Sequence, residues 1–226
     1  LEGSTPMQHW AARGLVSTPD PDMAADMYEI AGSGLSAAGY VQYEISNWAR
    51  VNDDCQILGS DIHSVDRTFH FPLEWACRHN LQYWRNQPYL GFGAGAHGFV
   101  SGYRTSNELS PATYITRLSQ FAKDQVTQSP KLPTFPQTPV TVNLQKVDRQ
   151  TEMAETMMMG LRLTQEGISR IDFMTRFDQD LADVFGDQVV RLTDVGLLEW
   201  VGEEQDVLRL TARGRLLGNQ VFREFI

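Results

Sequence analysis

The chain has 226 residues, of which 42% are hydrophobic and 21% charged, with a net charge of −9. This composition is typical of a globular protein with one large domain or two small ones. No apolar run approaches the roughly 18 residues of a membrane span, and no signal peptide is visible at the N-terminus. Two cysteines make no disulfide framework, so we expect a cytoplasmic protein. The negative charge disfavours binding of nucleic acid, which requires a basic face.

The first part of the chain contains a predicted helix and a predicted strand. Apolar and small residues recur at helical spacing over residues 23–38, between Pro21 and Gly39, and predict a helix. Aromatic and β-branched residues over 40–46 predict a strand. A helix followed by a strand is typical of an α/β layered or barrel fold. The polar, irregular residues 51–73 predict an insertion loop.

Order returns after this insertion. A short aromatic segment at 78–84 precedes a glycine-rich strand and turn at 89–100, and a helix capped by Ser110 is predicted from 111 to about 121. Prolines then occur at every third position between 130 and 139. This spacing favours an extended linker, so the prediction divides the chain into residues 1–128, a proline-rich linker at 129–146, and a second domain at 147–226.

The second domain has the pattern of a small α+β module. We predict helices over 151–163, 168–176 and 180–195, a hairpin of strands 197–201 and 207–211, and a last helix over 216–225. This order indicates a winged-helix-like plan. The domain carries 9 arginines against 15 acidic residues. This balance has the wrong sign for a DNA-binding wing.

A group of polar and aromatic residues after the insertion offers candidate ligands. His79, Asn80, Tyr83 and Trp84 supply an imidazole, an amide and two flat rings. This set suits a planar, metal-bearing macrocycle with His79 as the axial ligand. Cys77 could serve as a thiolate ligand instead, or be a small buried residue. Spacing alone favours the alternative, in which the two aromatic residues belong to the core and His79 is structural.

Glycines alternate with other residues at the strand end over 91–98. Missing side chains allow a ligand or another backbone to approach closely, and free N–H groups can bind an anion or a cofactor carboxylate. Tight backbone contact between elements would produce the same pattern. The glycines therefore leave both interpretations open.

Three segments together resemble one known family. Residues 43–49 read Tyr-Glu-Ile-Ser-Asn-Trp-Ala, 78–85 read Arg-His-Asn-Leu-Gln-Tyr-Trp-Arg, and 91–98 read Gly-Phe-Gly-Ala-Gly-Ala-His-Gly. In this order they are similar to the C-terminal half of the oxygen-independent coproporphyrinogen III oxidase-like radical SAM family. The His-Asn-x-x-Tyr-Trp pattern at 79–84 resembles the signature of its haem-chaperone branch. The resemblance implies an α/β fold, the C-terminal portion of a partial (β/α) radical SAM barrel followed by the family's C-terminal domain.

The resemblance also implies two sets of binding residues. For haem it implies His79 as the ligand of the iron, with Asn80, Tyr83 and Trp84 beside it. For S-adenosylmethionine it implies contacts from Gln82, Gly93, Gly95, Ala96 and His97. It implies no catalytic residue within this chain.

The family's 4Fe–4S cluster sits on a Cys-x-x-x-Cys-x-x-Cys motif and cleaves S-adenosylmethionine, whereas this sequence has only Cys55 and Cys77. The chain therefore resembles the C-terminal part of a longer protein and is expected to be inactive alone. The first functional hypothesis is haem binding for transfer to haem-accepting proteins. The alternatives are part of a coproporphyrinogen III oxidase and a non-catalytic adaptor. Exposed strand edges of an incomplete barrel predict self-association.

Overall fold

The computed structural model describes residues 5–18, 20–51, 75–127, 133–202 and 204–226. Apart from Val51, the insertion predicted for 51–73 lies outside the described residues, as does Cys55. The helices are α1 (Pro6–Ala12), α2 (Pro21–Ala37), α3 (Arg78–Trp84), α4 (Pro111–Thr127), α5 (Arg149–Gly160), α6 (Arg170–Phe177), α7 (Leu181–Asp194), α8 (Ala212–Leu216) and α9 (Gly218–Arg223). The strands are β1 (Tyr40–Glu44), β2 (Asn47–Arg50), β3 (His97–Val100), β4 (Tyr103–Asn107), β5 (Thr141–Lys146), β6 (Ile168–Ser169), β7 (Leu198–Val201) and β8 (Val207–Leu210).

The first helix and strand predicted from the sequence are both present, as α2 and β1. The Asp20 side chain caps α2 by accepting a hydrogen bond from the Asp22 N–H at 2.9 Å. A second strand, β2, pairs antiparallel with β1 and was not predicted. The turn between them lacks glycine, and the Glu44 carboxylate stabilises it by accepting hydrogen bonds from the Ser46 N–H and the Asn47 amide.

A three-stranded antiparallel sheet, in the order β3-β4-β5, follows α3. Its third strand corrects the prediction of a linker over 129–146, because residues 141–146 pair with β4. The proline repeat ends at Pro139. The Thr-Val-Asn-Leu-Gln-Lys sequence at 141–146 contains no proline, so its backbone N–H groups can pair in a sheet, and it includes β-branched side chains. Residues 133–140, predicted as extended, instead contain two turns, closed by hydrogen bonds from the Gln137 N–H to the Thr134 carbonyl at 2.9 Å and from the Thr141 N–H to the Thr138 carbonyl at 3.1 Å.

The last part of the chain has the predicted winged-helix-like order. Strand β6 is followed by helices α6 and α7 and then by the β7–β8 hairpin. The three strands form a sheet in the order β6-β8-β7. The helix predicted over 168–176 begins two residues later, because Ile168 and Ser169 pair with β8. The final helix predicted over 216–225 corresponds to α9, and a separate short helix, α8, precedes it and was not predicted. One hydrophobic core, with contributions from α5, α6, α7, α9 and all three strands, holds this domain together.

All strand pairs within the described ranges are antiparallel. A parallel pair of barrel strands is therefore not among the pairs that the structure describes. None of the helices in these ranges is long and apolar enough to cross a membrane.

Candidate ligand-binding site

Helix α3 carries the predicted haem residues, and its outer side presents aromatic rings. His79 and Tyr83 lie one helical turn apart, and their rings meet edge to face at 4.8 Å between centroids. Tyr83 in turn contacts Tyr89, with 4.6 Å between the ring centroids. His79 is exposed, whereas the two tyrosines are half-buried. We call His79, Tyr83 and Tyr89 the ring surface. It presents an imidazole to solvent beside the apolar area of two rings. A surface that binds an aromatic macrocycle with a central metal requires both features.

Tyr89 joins the ring surface to the neighbouring sheet. It forms an isolated antiparallel bridge with Phe99, and burial of its phenol raises the pKa above the ordinary value, with a smaller contribution in the same direction from Tyr83. The phenol therefore stays protonated at neutral pH and can donate a hydrogen bond. Sequence analysis did not single out Tyr89, because it lies outside the recognised signature.

The inner side of α3 holds the helix against the rest of the molecule. Leu81 is buried in a small core with Tyr43, Ala49 and Leu163, and Trp84 contacts the same core. The Trp84 ring lies under the Arg162 guanidinium, 4.4 Å from its centroid. The structure thus places Trp84, predicted as a wall of the haem site, on the inner side of α3. This side faces the interface with the C-terminal domain around Arg162, which we call the joint.

Arg162 is the centre of this joint. Its guanidinium pairs with Glu44 at 3.1 Å, and the Glu44 side chain is almost completely buried. Backbone hydrogen bonds from Ile45 to Arg162 and from Thr164 to Tyr43, both 3.2 Å, add to the contact. The Tyr-Glu-Ile-Ser-Asn segment that carried part of the resemblance is therefore a structural element of the joint.

Two residues directly after α3 strengthen this attachment, and sequence reasoning missed both. Arg85 forms two hydrogen bonds of 2.8 Å to the Glu166 carboxylate, and this pairing raises the pKa of Arg85. Asn86 is buried with a φ of 48°, and its side-chain amide donates to the Thr156 hydroxyl at 3.1 Å. Its carbonyl accepts a hydrogen bond of 2.7 Å from Arg176. Asparagine tolerates this left-handed conformation better than most residues, which is the signal that could have identified it.

Gln82 and Asn80 lie between the two sides of α3. The Gln82 amide donates a hydrogen bond of 2.7 Å to the carbonyl of Pro88, which closes the turn that leads from α3 to Tyr89. Asn80 is half-buried next to His79. The structure therefore shows a structural contact for Gln82, while its predicted role in cofactor binding stays a prediction.

The glycine-rich turn is built by close backbone contacts. A Cβ atom at Gly91 would collide with the carbonyl oxygen of His97, so glycine is needed at this position. The Asn107 amide donates to the carbonyls of Gly91 and Gly93, both at 3.1 Å. These contacts agree with one of the two interpretations of the glycines, namely that they allow tight contact between backbone segments.

Three N–H groups of this turn have partners within the protein. Gly93 donates to the Tyr114 hydroxyl at 3.3 Å, Gly95 to the carbonyl of Glu108 at 2.8 Å, and Ala96 to the carbonyl of Gly93 at 3.3 Å. They are therefore not available to a cofactor carboxylate in this conformation. His97 is exposed at the start of β3, and no contact with the ring surface is shown for it. The predicted contacts of these residues with S-adenosylmethionine stay predictions.

Cys77 precedes α3 and is an exposed free thiol. Its N–H donates a hydrogen bond of 3.4 Å to the Tyr43 hydroxyl, and its side chain does not cap the helix. Exposure contradicts the alternative of a small buried residue. Among the residues that the structure describes, no group of three or more His, Cys, Asp or Glu side chains is arranged to hold a metal ion.

Comparison with known proteins shows what this fold is similar to. Residues 147–217 match the HemN C-terminal domain family. The fold is similar to that of a coproporphyrinogen III oxidase, HemN of Escherichia coli, described as a radical SAM enzyme, with a TM-score of 0.54 and 16% identity over 92% of this chain and 42% of that one. Residues 147–217 thus form a HemN-type C-terminal domain, and the fold is similar to that of one class of proteins, the HemN-like radical SAM proteins, as the sequence motifs predicted.

Within this class the curated relatives point to one group. The whole chain is 30% identical to the haem chaperone HemW of Bacillus subtilis, and 27% identical to that of Lactococcus lactis, over 48% of either relative. A mitochondrial radical S-adenosyl methionine domain-containing protein of Mus musculus is 35% identical over 43% of this chain and 17% of its own length. The chain is thus similar to HemW and spans about half the length of the HemW proteins that it matches.

Proposed function

We propose that this chain forms the haem-binding part of a HemW-like protein that delivers haem to acceptor proteins. The observation that carries the proposal is the ring surface, in which an exposed imidazole stands beside two tyrosine rings on one side of α3. Neutral imidazole is a good ligand for haem iron. The similarity of the chain to the haem chaperones HemW of two bacteria supports the same assignment.

The position of His79 fits haem better than it fits a metal held by several side chains. One axial side chain is enough to bind haem iron, because the porphyrin supplies the other ligands. His79 lies in the first turn of α3, where neighbouring side chains leave it exposed. The half-buried rings of Tyr83 and Tyr89 would contact the macrocycle, while His79 would coordinate its iron.

The cysteines of this chain do not fit a 4Fe–4S cluster. A cluster of this kind is held by several thiolates, and the sequence contains only Cys55 and Cys77. We propose that the cluster and S-adenosylmethionine belong to the complete protein, and that this chain alone is inactive. The cytoplasmic location expected from the sequence likewise stays a prediction.

The test is titration of the chain with haem, followed by absorbance in the Soret region. We expect the wild type to give a Soret band of a histidine-ligated haem, and His79→Ala to lose that band or shift it. His9→Ala is the matched control, because His9 is also exposed and lies on α1 rather than on α3. Its spectrum should be that of the wild type.

Equal haem spectra for wild type and His79→Ala would overturn the role of His79. Absence of binding by the wild type would overturn the function as a whole. If the complete protein with its cluster converts coproporphyrinogen III into protoporphyrinogen IX, the oxidase hypothesis replaces that of a chaperone. Transfer is tested by adding an apo-protein acceptor to the haem complex and following the change in the Soret band.

A further inference from the structure

We propose that Arg104 binds a carboxylate of the ligand and so makes the ring surface selective for porphyrins that carry free acid groups. This inference rests on the proposed function and extends it, because it names the chemical group that the site recognises. Haem is a flat apolar ring with two propionate groups at one edge. A complete site therefore needs a cation beside its aromatic rings.

The sheet register places Arg104 on the same face of the sheet as Tyr89, with the buried side chain of Phe99 between them. Tyr89 is bridged to Phe99, and Phe99 lies directly opposite Arg104 in the antiparallel pair of β3 and β4. Residues opposite each other in such pairs project to the same face of the sheet. Tyr89, Phe99 and Arg104 therefore form a row, of which Tyr89 is the end that contacts Tyr83.

The charge of Arg104 reaches the Tyr89 phenol. Arg104 acts to lower the pKa of Tyr89, against the larger effect of burial, and Glu155 acts to raise it. Both charges are thus close enough to the phenol to influence its ionisation. This electrostatic link agrees with the strand register, which by itself brings the two side chains to one face.

The Arg104 guanidinium has donors left for a ligand. Arg104 is paired with Glu155, but its side chain is 43% exposed while that of Glu155 is only 13% exposed. A guanidinium has five N–H donors, and a single carboxylate occupies at most two of them in a bidentate contact. The exposed edge can therefore bind a propionate while the Glu155 pair holds the side chain in place.

The test compares haem with haem dimethyl ester, which has the same macrocycle and iron but no carboxylates. We expect Arg104→Gln to weaken haem binding about tenfold, as for the loss of one charge-assisted hydrogen bond, and to leave the ester's affinity unchanged. Arg117→Gln is the matched control. Arg117 is also paired with a glutamate, Glu108, at 3.1 Å, and its side chain is 42% exposed. It should bind both ligands as the wild type does.

Two results would overturn this inference without touching the proposed function. One is an Arg104→Gln variant that binds haem as tightly as the wild type, with the His79 spectrum intact. The other is an equal loss of affinity for haem and for its ester, which would indicate a general effect on the site. Arg104→Lys keeps the charge and should retain most of the preference for the acid. It also provides the comparison if the glutamine variant fails to fold, as judged by circular dichroism.

Discussion

The C-terminal domain and the region before it differ in where their apolar side chains lie. Residues 153–225 contribute seventeen buried residues to one continuous core. The earlier region has a core of five buried residues, one of which, Leu163, comes from the segment after α5. Helix α2 has no buried residue, and Met23, Met27 and Ile30 are 60%, 64% and 72% exposed at helical spacing.

This difference indicates how each region obtains its stability. The C-terminal domain buries its own apolar surface, which agrees with its match to a recognised domain family over 147–217. The earlier region keeps an amphipathic helix whose apolar side remains in solvent, and a contiguous patch of that kind favours association. The self-association expected from the sequence stays a prediction, and the exposed apolar side of α2 is the surface that would carry it.

The largest expected loss of stability comes from a cavity in the core of the C-terminal domain. Leu208 is completely buried in the central strand of its sheet, so Leu208→Ala should lower the free energy of unfolding by about 2–5 kcal/mol. The measurement is urea unfolding followed by circular dichroism. Leu15→Ala is the same change in the other region, where the side chain is 62% exposed, and should stay within about 0.5 kcal/mol of the wild type. Equal losses for the two variants would contradict the contrast between the regions.

A smaller effect is expected where the two regions meet. Arg162→Ala leaves the buried Glu44 carboxylate without its cation, while the hydrogen bonds from Ser46 and Asn47 remain. We expect a loss of about 2–3 kcal/mol in urea unfolding, less than for a fully buried pair because Arg162 is partly exposed.

The matched control for that variant removes an arginine from a surface pair. Arg191 pairs with Glu224 at 2.8 Å, with side chains 64% and 43% exposed. Arg191→Ala should cost less than about 1 kcal/mol. If the two alanine variants were equally stable, the joint around Arg162 would contribute no more than an ordinary surface contact.

The smallest effect concerns acid stability within the C-terminal domain. Hydrogen bonds from Arg170, and then from the Ala182 N–H, lower the pKa of Asp180 below its ordinary value. A lowered folded-state pKa gives stability that is present above the unfolded value and is lost as pH falls through the folded value. Asp180→Asn should therefore be less stable than the wild type at pH 7, and the difference should shrink on acidification toward about pH 3.

Urea midpoints at pH 7 and pH 3 measure this difference. Asp187→Asn is the control, since Asp187 is exposed on α7 and has no ion pair among the described residues. Its urea midpoint should equal that of the wild type at both pH values. A constant difference between Asp180→Asn and the wild type across this range would contradict an electrostatic origin.

Local signals in the sequence were enough to predict most elements. Helix α2 has a proline at its start and a glycine after its end, and the β7–β8 hairpin flanks a polar turn, so periodicity and turn residues agreed. The strand β5 was missed because it follows the proline repeat. The pairing of β6 depends on β8, almost forty residues later, and local patterns carry no information about such partners.

Residues 78–84 were predicted only as a short aromatic segment, so neither the ring pair of His79 and Tyr83 nor the orientation of helix α3 was predicted. Trp84 has the same aromatic character as Tyr83, but it packs against the core around Leu81 and under Arg162, and local sequence patterns do not specify these contacts. Tyr89 and Arg104 were missed for a related reason. Their positions relative to the ring surface depend on strand register, which the sequence pattern of a single segment does not specify.

Helix α3 is attached at both ends. Ala76 is buried against the Tyr43 core just before it, and Arg85 and Asn86 are bonded to the C-terminal domain just after it. A ligand that meets His79 therefore encounters a backbone that is already in place, and association orders only a few side-chain rotamers. For the proposed haem site, a helix held on both sides would allow binding and release of the ligand without a slow conformational step.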